Sequence, residues 1–328
     1  MDDMGYSIDW RREFRTIDPT YQKFVTWQIT KLYEKGLIIK GKHPVKYCPR
    51  DKNPVGDHDL LEGEGVSINE LTLLKFKIDD KILVPATFRP ETIYGATNLW
   101  INPDLEYIEV KNGEETWIIS RVAYDNLSNQ INDLKILGNI DMKPFIGKYA
   151  ESMFTGAKLP LLPASFVDAE FGSGTVFSVP AHAPADYIAL KDLKENKALQ
   201  KNYGLEEIVA KIEAIPVITI KKYGDIPAKD VIDRLNITSQ EDPNLHEATN
   251  ELYKAEHSKG RMREEIPDFA GEAVIVAREK IKEQMLEKNE AGKMYDFSER
   301  PVICRCGERC VVKVMDNQWF LKYSDEDW

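Results

Sequence analysis

The chain has 328 residues, of which 42% are hydrophobic and 30% charged, so its composition is that of a globular protein of about two domains. No segment approaches the ~20 consecutive apolar residues of a membrane span, and the acidic, polar start MDDMGYSIDW is not typical of a secretory signal. We therefore expect a cytoplasmic protein without membrane association. The net charge of −11 argues against nonspecific nucleic-acid binding, but it is compatible with a single-stranded end held by shape and stacking.

The first predicted element is a helix. Asp18 before Pro19 is typical of a helix start, apolar residues then recur at helical spacing up to Leu32, and Gly36 ends the helix. Residues 38–65 are rich in Pro, Gly, Asp and Lys, which predicts a strand followed by a linker.

From about Leu71 the pattern becomes β-rich. The runs LLKFKI and KILVPATF predict two strands. The run LEYIEVKNGEETWIIS predicts a hairpin, because Asn112-Gly113 is the strongest short turn signal. A short helix is predicted near Val122 to Leu127.

The second half of the chain mixes both element types. Strands are predicted for GTVFSVPAH, for AIPVITI and within RPVICRCGERCVVKVMDNQWFLKY. Helices are predicted from Pro184, from Asp242-Pro243 to about His257, and from Glu272 to Lys288. We therefore divide the chain into a helix and strand at 1–45, a linker with Cys48 at 46–70, a mixed α/β body at 71–296, and returning strands at 297–328.

A threonine-rich run, VPATFRPETIYGATNLW, is the first candidate site. A strand ends near Thr87, Pro90 pushes Arg89 out of helical conformation, and Thr92 begins a short helix. Threonine offers a donor, an acceptor and a methyl group in a stiff side chain, which suits a small pocket that tests both shape and polarity. The alternative is that these threonines only cap a turn.

The second candidate site is SVPAHAPADYIAL. Asp186 falls at about the third position of the helix from Pro184, where free N–H groups and the helix dipole favour an ionised carboxylate. Such a carboxylate is a good receptor for an ammonium group, although it could also be a simple cap. His182 is a candidate base, with a structural role as the alternative.

The third candidate site is a set of cysteines in a chain for which we expect a reducing compartment. Four thiolates are the number that a closed structural zinc site uses, although the spacing is not the usual C-x2-C. Asp51 or His58 would complete the set if Cys48 does not, and reduced thiols without metal are the alternative to zinc. The predicted ligands are Cys48, Cys304, Cys306 and Cys310.

Several of these runs, in order along the chain, resemble leucyl-tRNA synthetases of the archaeal and eukaryotic type. The matching runs are SIDWRREFRTIDPTYQKFVTWQ, YCPRDKNPVGDHDLLEGEG, TFRPETIYGATNLWINP, SVPAHAPADYIAL and QWFLKYSDEDW. The class I signatures for amino-acid activation, HIGH and KMSKS, are absent. The resemblance therefore implies a fragment without the synthetic site. Its α/β fold would be a strand-rich editing domain, with a β-barrel-like core and surrounding helices, flanked by pieces of a Rossmann-type catalytic domain.

The resemblance also implies roles for individual residues. Asp186 would hold the α-ammonium of the aminoacyl group, and Thr92 would block the branched side chain of leucine. Thr87 and Arg89 would bind the ester end and orient water, without a protein nucleophile. Phe88 departs from the bacterial pattern, which usually has a second threonine there. The expected lining of the substrate pocket is Thr92, Tyr94, Phe177, Val179 and His182.

The function implied is post-transfer editing. One methylene is worth only about 1–3 kcal/mol of discrimination, so a second pocket must clear isoleucyl, methionyl or norvalyl esters from tRNA(Leu) and spare the leucyl ester. The expected partners are the 3′ end of mischarged tRNA(Leu) and the rest of the synthetase. We expect a monomer that needs no cofactor for hydrolysis and carries a structural zinc. The alternatives are a module that binds the CCA end without hydrolysis and a zinc-stapled structural insert.

Overall fold

The computed structural model of this chain describes Asp9 and residues 11–322. Parts of the two terminal runs, SIDWRREF at the start and the end of QWFLKYSDEDW, lie outside the described residues. The chain forms two compact units. Among the described residues, one unit comprises those up to Pro44 and those from Val314 to residue 322, and the other comprises Val45–Lys313.

The helices begin where the sequence supplies a suitable first residue. Three of them have proline in their first turn, where its missing N–H is no loss and its fixed φ favours the helix. The α-helices of the described residues are α1 Pro19–Glu34, α2 Arg121–Leu127, α3 Pro184–Glu195, α4 Lys197–Tyr203, α5 Glu206–Lys211, α6 Pro227–Leu235, α7 Leu245–Lys259 and α8 Val274–Glu287.

Most strands are short, and they follow one another at close intervals along the chain. In order they are β1 Ile38–Cys48, β2 Asn53–Pro54, β3 Leu60–Glu62, β4 Ile68–Leu74, β5 Phe76–Ile78, β6 Lys81–Leu83, β7 Ala86–Thr87, β8 Asn98–Ile101, β9 Tyr107–Asn112, β10 Glu115–Ser120, β11 Lys135–Ile140, β12 Tyr149–Ser152, β13 Lys158–Pro163, β14 Thr175–Ser178, β15 Ile218–Thr219, β16 Arg261–Met262, β17 Ala291–Phe297, β18 Ile303–Cys304 and β19 Val311–Leu321.

A nine-stranded sheet dominates the larger unit, and it curls into a half-barrel. Its strands lie in the order β11-β9-β10-β6-β5-β12-β13-β8-β14. The predicted hairpin is confirmed, because β9 pairs antiparallel with β10 around Gly113, whose φ is +58°. The predicted fold class, a mixed α/β body with a strand-rich core, is confirmed.

A second sheet carries the threonine-rich run. Its order is β17-β4-β7, and it places Thr87 opposite Thr72. The largest hydrophobic cluster joins the nine-stranded sheet to α8 through residues such as Leu99, Phe177 and Ile281. This cluster includes Ile93, in the turn after β7, and Ala183, directly before α3, so it supports the segments that carry the first two candidate sites.

Two predicted strands are interrupted. LLKFKI breaks at Lys75, whose buried ammonium donates to Glu115 Oε1 at 2.7 Å and to Asn289 O at 3.0 Å instead of packing as part of an apolar strand. KILVPATF breaks at Val84-Pro85, because proline cannot donate to a strand ladder.

The predicted strand AIPVITI is mostly wrong, because only Ile218–Thr219 pairs as a strand. The elements β11 to β13 and α4 to α6 have no counterpart among the sequence predictions. None of the helices in residues 11–322 has the length and apolar character needed to cross a membrane.

Candidate functional site

The threonine-rich turn is held together by its own hydroxyl groups. The backbone N–H of Arg89 donates to Thr87 Oγ1 at 2.9 Å, and Thr92 Oγ1 donates to Arg89 O at 2.8 Å. Pro90 then starts a 3₁₀ helix, Pro90–Gly95. Both threonines therefore do cap the turn, as in the alternative interpretation. Thr87, which only accepts here, keeps its hydroxyl proton for another partner.

Thr87 and Thr92 differ in access. Thr87 is 9% exposed, whereas Thr92 has no exposed surface. Thr92 therefore offers no surface to a substrate in this conformation and can influence one only through the shape of the turn that it holds. Its hydrogen bond to Arg89 O holds its side chain in one rotamer.

Arg89 lies in a buried ionic network. Its Nη2 contacts Glu256 Oε2 at 2.5 Å, its Nη1 donates to His182 O at 3.0 Å, and its guanidinium stacks 4.3 Å from the centre of the Tyr253 ring. Burial disfavours the charged guanidinium, but the negative charges of Glu256 and Glu91 outweigh this effect and raise the pKa of Arg89. Arg89 is thus committed to protein partners, which favours a positioning role over direct contact with an ester.

His182 is fully buried, and both of its ring nitrogens are engaged. The backbone N–H groups of Val217 and Ile218 donate to Nε2 at 2.8 and 3.3 Å. Nε2 must therefore be the acceptor, so the proton sits on Nδ1 and is donated to Glu256 Oε1 at 2.7 Å. This arrangement leaves no nitrogen for substrate or for general-base work, and it favours the structural alternative.

Asp186 occupies the third position of α3, after Pro184 and Ala185. Its Oδ2 accepts from Val179 N at 2.9 Å, and the residue is 7% exposed. Across residues 11–322, no cation lies within ion-pair distance of this carboxylate. The Asp186 carboxylate in the first turn of α3 is therefore almost fully removed from solvent and has no counter-ion in the described residues.

Burial raises the pKa of Asp186 to about 7. The Val179 N–H, the Trp100 side chain and the positive charge of Arg89 partly offset this rise. The Nε1 of Trp100 makes no hydrogen bond within the described residues, so Trp100 influences Asp186 without a direct hydrogen bond. A carboxylate in this state gains from a bound cation, because the cation repays part of the desolvation.

The remaining predicted pocket residues belong to the main hydrophobic cluster or pack against it. Phe177 and Val179 are 6% and 5% exposed and belong to the main hydrophobic cluster. Tyr94 packs edge-on against Phe154, with ring centres 5.8 Å apart, and burial raises the pKa of Tyr94 to about 12. Its hydroxyl therefore stays protonated at neutral pH, and its ring serves packing.

Glu256 and Tyr253 are site residues that the sequence predictions missed. They lie on α7, far along the chain from the residues that they contact. A signal exists, because Ala248, Leu252 and Glu256 recur every four residues and all three are buried. A carboxylate at a core position of an amphipathic helix indicates a buried cationic partner.

The cysteine cluster is formed by two turns. Cys48 ends β1, and Cys304 and Cys306 lie in a turn that Gly307 closes with φ +82°. Cys48 Sγ lies 3.4 Å from Cys306 Sγ, and Cys304 Sγ lies 3.4 Å from Asp51 Oδ2. The four ligand atoms all lie within 4.8 Å of one another.

This donor set fits zinc. With Zn–S bonds of about 2.3 Å, a tetrahedral site brings its sulfur atoms to about 3.8 Å from one another. Three thiols and one carboxylate are within the ligand types that zinc accepts. The fourth predicted ligand, Cys310, is outside the group, and Asp51 stands in its place. The backbone N–H of Cys310 donates to Val302 O, which joins the residue before β19 to the residue before β18.

Sequence comparison places this chain among synthetases. The profile of the tRNA synthetases class I (I, L, M and V) matches residues 1–325. Leucine–tRNA ligase of Methanothermobacter thermautotrophicus is 60% identical over 328 residues, covering 100% of this chain and 35% of that protein. The same enzyme of Methanopyrus kandleri is 52% identical, covering 99% of this chain and 35% of its own. The chain thus spans about a third of the length of the curated relatives that it matches.

Solved structures share the fold of this chain. The crystal structure of the P. knowlesi cytosolic leucyl-tRNA synthetase editing domain aligns with a TM-score of 0.63 at 22% identity, covering 70% of this chain and 97% of that one. The corresponding P. falciparum editing domain aligns with a TM-score of 0.61 at 20% identity, covering 69% and 99%. At these identities the likeness establishes the fold alone.

Proposed function

We infer the function from one premise, that this chain belongs to the tRNA synthetases class I (I, L, M and V). We propose that it is an editing hydrolase within a leucine–tRNA ligase. Its substrate would be tRNA(Leu) carrying isoleucine, methionine or norvaline at the 3′ end, and leucyl-tRNA(Leu) would be spared. The rest of the synthetase would be its partner in the whole protein, which we expect to be cytoplasmic and monomeric.

Asp186 carries this proposal. It is an acidic side chain at 7% exposure, at the start of α3, without an ion-pair partner in the described part of the chain. A structural insert has no need for a desolvated carboxylate that lacks a counter-ion. The α-ammonium of an aminoacyl ester supplies the missing cation, and its binding fixes the ester carbonyl at a defined place.

The hydrolysis proposed here needs no protein nucleophile. A water oxygen attacks the ester carbonyl carbon, the bond from that carbon to the ribose oxygen breaks, and the ribose oxygen takes up the proton that the water loses. The products are the free amino acid and tRNA. Asp186 orients the substrate, and the uncommitted hydroxyl proton of Thr87 is available to hold the ester end or the water. Arg89 holds the turn and the start of α3 together through His182 O.

Side-chain discrimination would come from buried walls. We assign this role to Thr92, Phe177 and Val179, all of which are buried. Thr92 cannot move aside without losing its hydrogen bond to Arg89 O, so it would exclude leucine by shape. Replacing Thr92 by alanine should make leucyl-tRNA(Leu) a substrate while the isoleucyl ester is still cleaved.

Deacylation assays test the assignment. The wild-type chain should hydrolyse isoleucyl-tRNA(Leu) and spare leucyl-tRNA(Leu), and Asp186→Asn should abolish hydrolysis. Asp192→Asn, on the same helix, is the matched control and should retain activity. If the wild type binds tRNA but cleaves neither ester faster than buffer does, the binding-module alternative replaces the hydrolase.

We also propose that Cys48, Asp51, Cys304 and Cys306 hold a structural zinc ion, away from the hydrolytic chemistry. The purified chain should contain one zinc per molecule. Cys304→Ser should lose the metal, whereas Cys310→Ser, the matched control outside the group, should keep it. Equal zinc content in both variants would contradict this ligand set.

A further inference from the structure

A basic groove lies on the opposite side of α7 from the ionic network. Its volume is about 1130 Å³, and it lies between α7 and the segment that follows β15. Five basic side chains and one acidic side chain line it, a surplus of four positive charges in a chain whose net charge is −11. They are Lys221, Lys222, Lys254, Lys259, Arg261 and Glu251.

The acidic member neutralises one basic side chain of the groove and leaves the others. Glu251 already contacts both Lys222 Nζ and Arg234 Nη2 at 2.5 Å. Lys221, Lys254 and Lys259 are exposed, and no ion pair engages them in the part of the chain that the structure describes. Three ammonium groups are therefore free to meet an anionic partner.

The groove and the candidate site share their supporting elements. Glu256 and Tyr253 face Arg89 from one side of α7, while Lys254 and Lys259 lie on the groove side. An α-helix with its side chains is about 10 Å wide, so the groove and the α7 residues that face Arg89 are separated by roughly one helix diameter. Successive phosphates of one strand are spaced by about 3.4 Å along a helix axis. A strand that follows the surface of α7 from one side to the other therefore spans this width with a few nucleotides.

We propose that this groove binds phosphate groups of the substrate RNA, a few nucleotides from the aminoacyl ester. The proposal rests on the editing function proposed above, since it assigns a second contact surface to the same substrate. It explains how an acidic chain holds RNA, because the positive charge is concentrated where the strand passes instead of being spread over the surface.

A charge-reversal pair tests the groove. Lys254→Glu/Lys259→Glu changes two groove residues, and Lys135→Glu/Lys201→Glu changes two exposed lysines outside it by the same net charge. The affinity for deacylated tRNA(Leu) is measured for both variants and the wild type over a range of salt concentrations. The groove variant should bind about ten-fold more weakly or worse, with a salt slope smaller by about 1.4 for two lost phosphate contacts on a single strand. The control should stay within about two-fold.

Hydrolysis separates this proposal from the one on which it rests. In the groove variant, KM for isoleucyl-tRNA(Leu) should rise while kcat stays unchanged, because neither lysine belongs to the reacting site. If no variant hydrolyses the ester, the editing function fails and the binding data alone decide the groove. The groove proposal is overturned if the affinity for tRNA falls equally in both variants, or if it falls in neither. It is also overturned if the wild type shows no saturable RNA binding. Thermal unfolding of both variants confirms that each is folded.

Discussion

Asp186→Asn should stabilise the protein at alkaline pH while it removes the proposed activity. In the folded chain, burial raises the pKa of Asp186 to about 7 from an ordinary value of 3.8. Between these two values the folded state holds a proton that the unfolded state has released. Stability therefore falls as the pH rises through this range, and above pH 7 the folded state carries the full cost of a buried charge.

The magnitude follows from the width of this range. Each pKa unit corresponds to about 1.4 kcal/mol, so a rise of about three units costs the folded state about 4 kcal/mol above pH 7. Asparagine keeps an oxygen that can accept from Val179 N, but it does not ionise. Between pH 5 and pH 8, the stability of Asp186→Asn relative to the wild type should therefore rise by about 3 kcal/mol.

Urea unfolding of the wild type, Asp186→Asn and Asp192→Asn at pH 5 and pH 8 measures this change. Asp192 lies on the same helix, and Gln240 donates to its Oδ2 at 2.9 Å. Its replacement should not produce the same pH-dependent gain. Suppose instead that Asp186→Asn is less stable than the wild type at both pH values, and by at least as much at pH 8 as at pH 5. Asp186 is then a stabilising cap, and the argument for an unsatisfied carboxylate is refuted.

Three further results are expected. The kcat/KM of deacylation, corrected for hydrolysis in buffer, should rise with pH around an apparent pKa of about 7, because only ionised Asp186 binds the ammonium. A flat profile between pH 6 and pH 8 would contradict this role of Asp186. Glu256→Gln should destabilise the chain by about 3 kcal/mol in urea unfolding, because it removes the charge of the closer of the two carboxylates that pair with the buried guanidinium of Arg89. Exposed Glu247→Gln should change little. Gly174→Ala should lower the melting temperature, because Gly174 has φ +80° and an added Cβ would lie 2.6 Å from Ser120 Cβ; an unchanged melting temperature would show that the turn can relax.

Local sequence signals predicted the elements that depend on local chemistry. The hairpin followed from Asn112-Gly113, and α3 followed from Pro184. The failure at AIPVITI has a specific cause. The N–H groups of Val217 and Ile218, which a longer strand would use in a ladder, donate to His182 Nε2 instead. A contact between segments so far apart leaves no trace in the hydrophobic pattern of either.

The site was predicted in the same uneven way. The pattern brought Asp186 and the threonine-rich turn to attention, but it gave no partner for Arg89. That partner, Glu256, is 167 residues further along the chain. The structure brings three of the four cysteines together, and the spacing of the cysteines could not show that the turn after Cys48 places Asp51 beside them while Cys310 lies outside the group.

The pairing of β4 with β17 has a consequence for folding. Seven consecutive residues of each strand are paired, from Ile68 with Phe297 to Leu74 with Ala291, so the chain leaves and re-enters this ladder at neighbouring points. The intervening loop of roughly 220 residues would cost about 5 kcal/mol in closure entropy if it were still a random coil. A loop that has already folded brings its two ends together and removes most of this cost. Hydrogen exchange during refolding should therefore protect the nine-stranded sheet before the β4–β17 ladder.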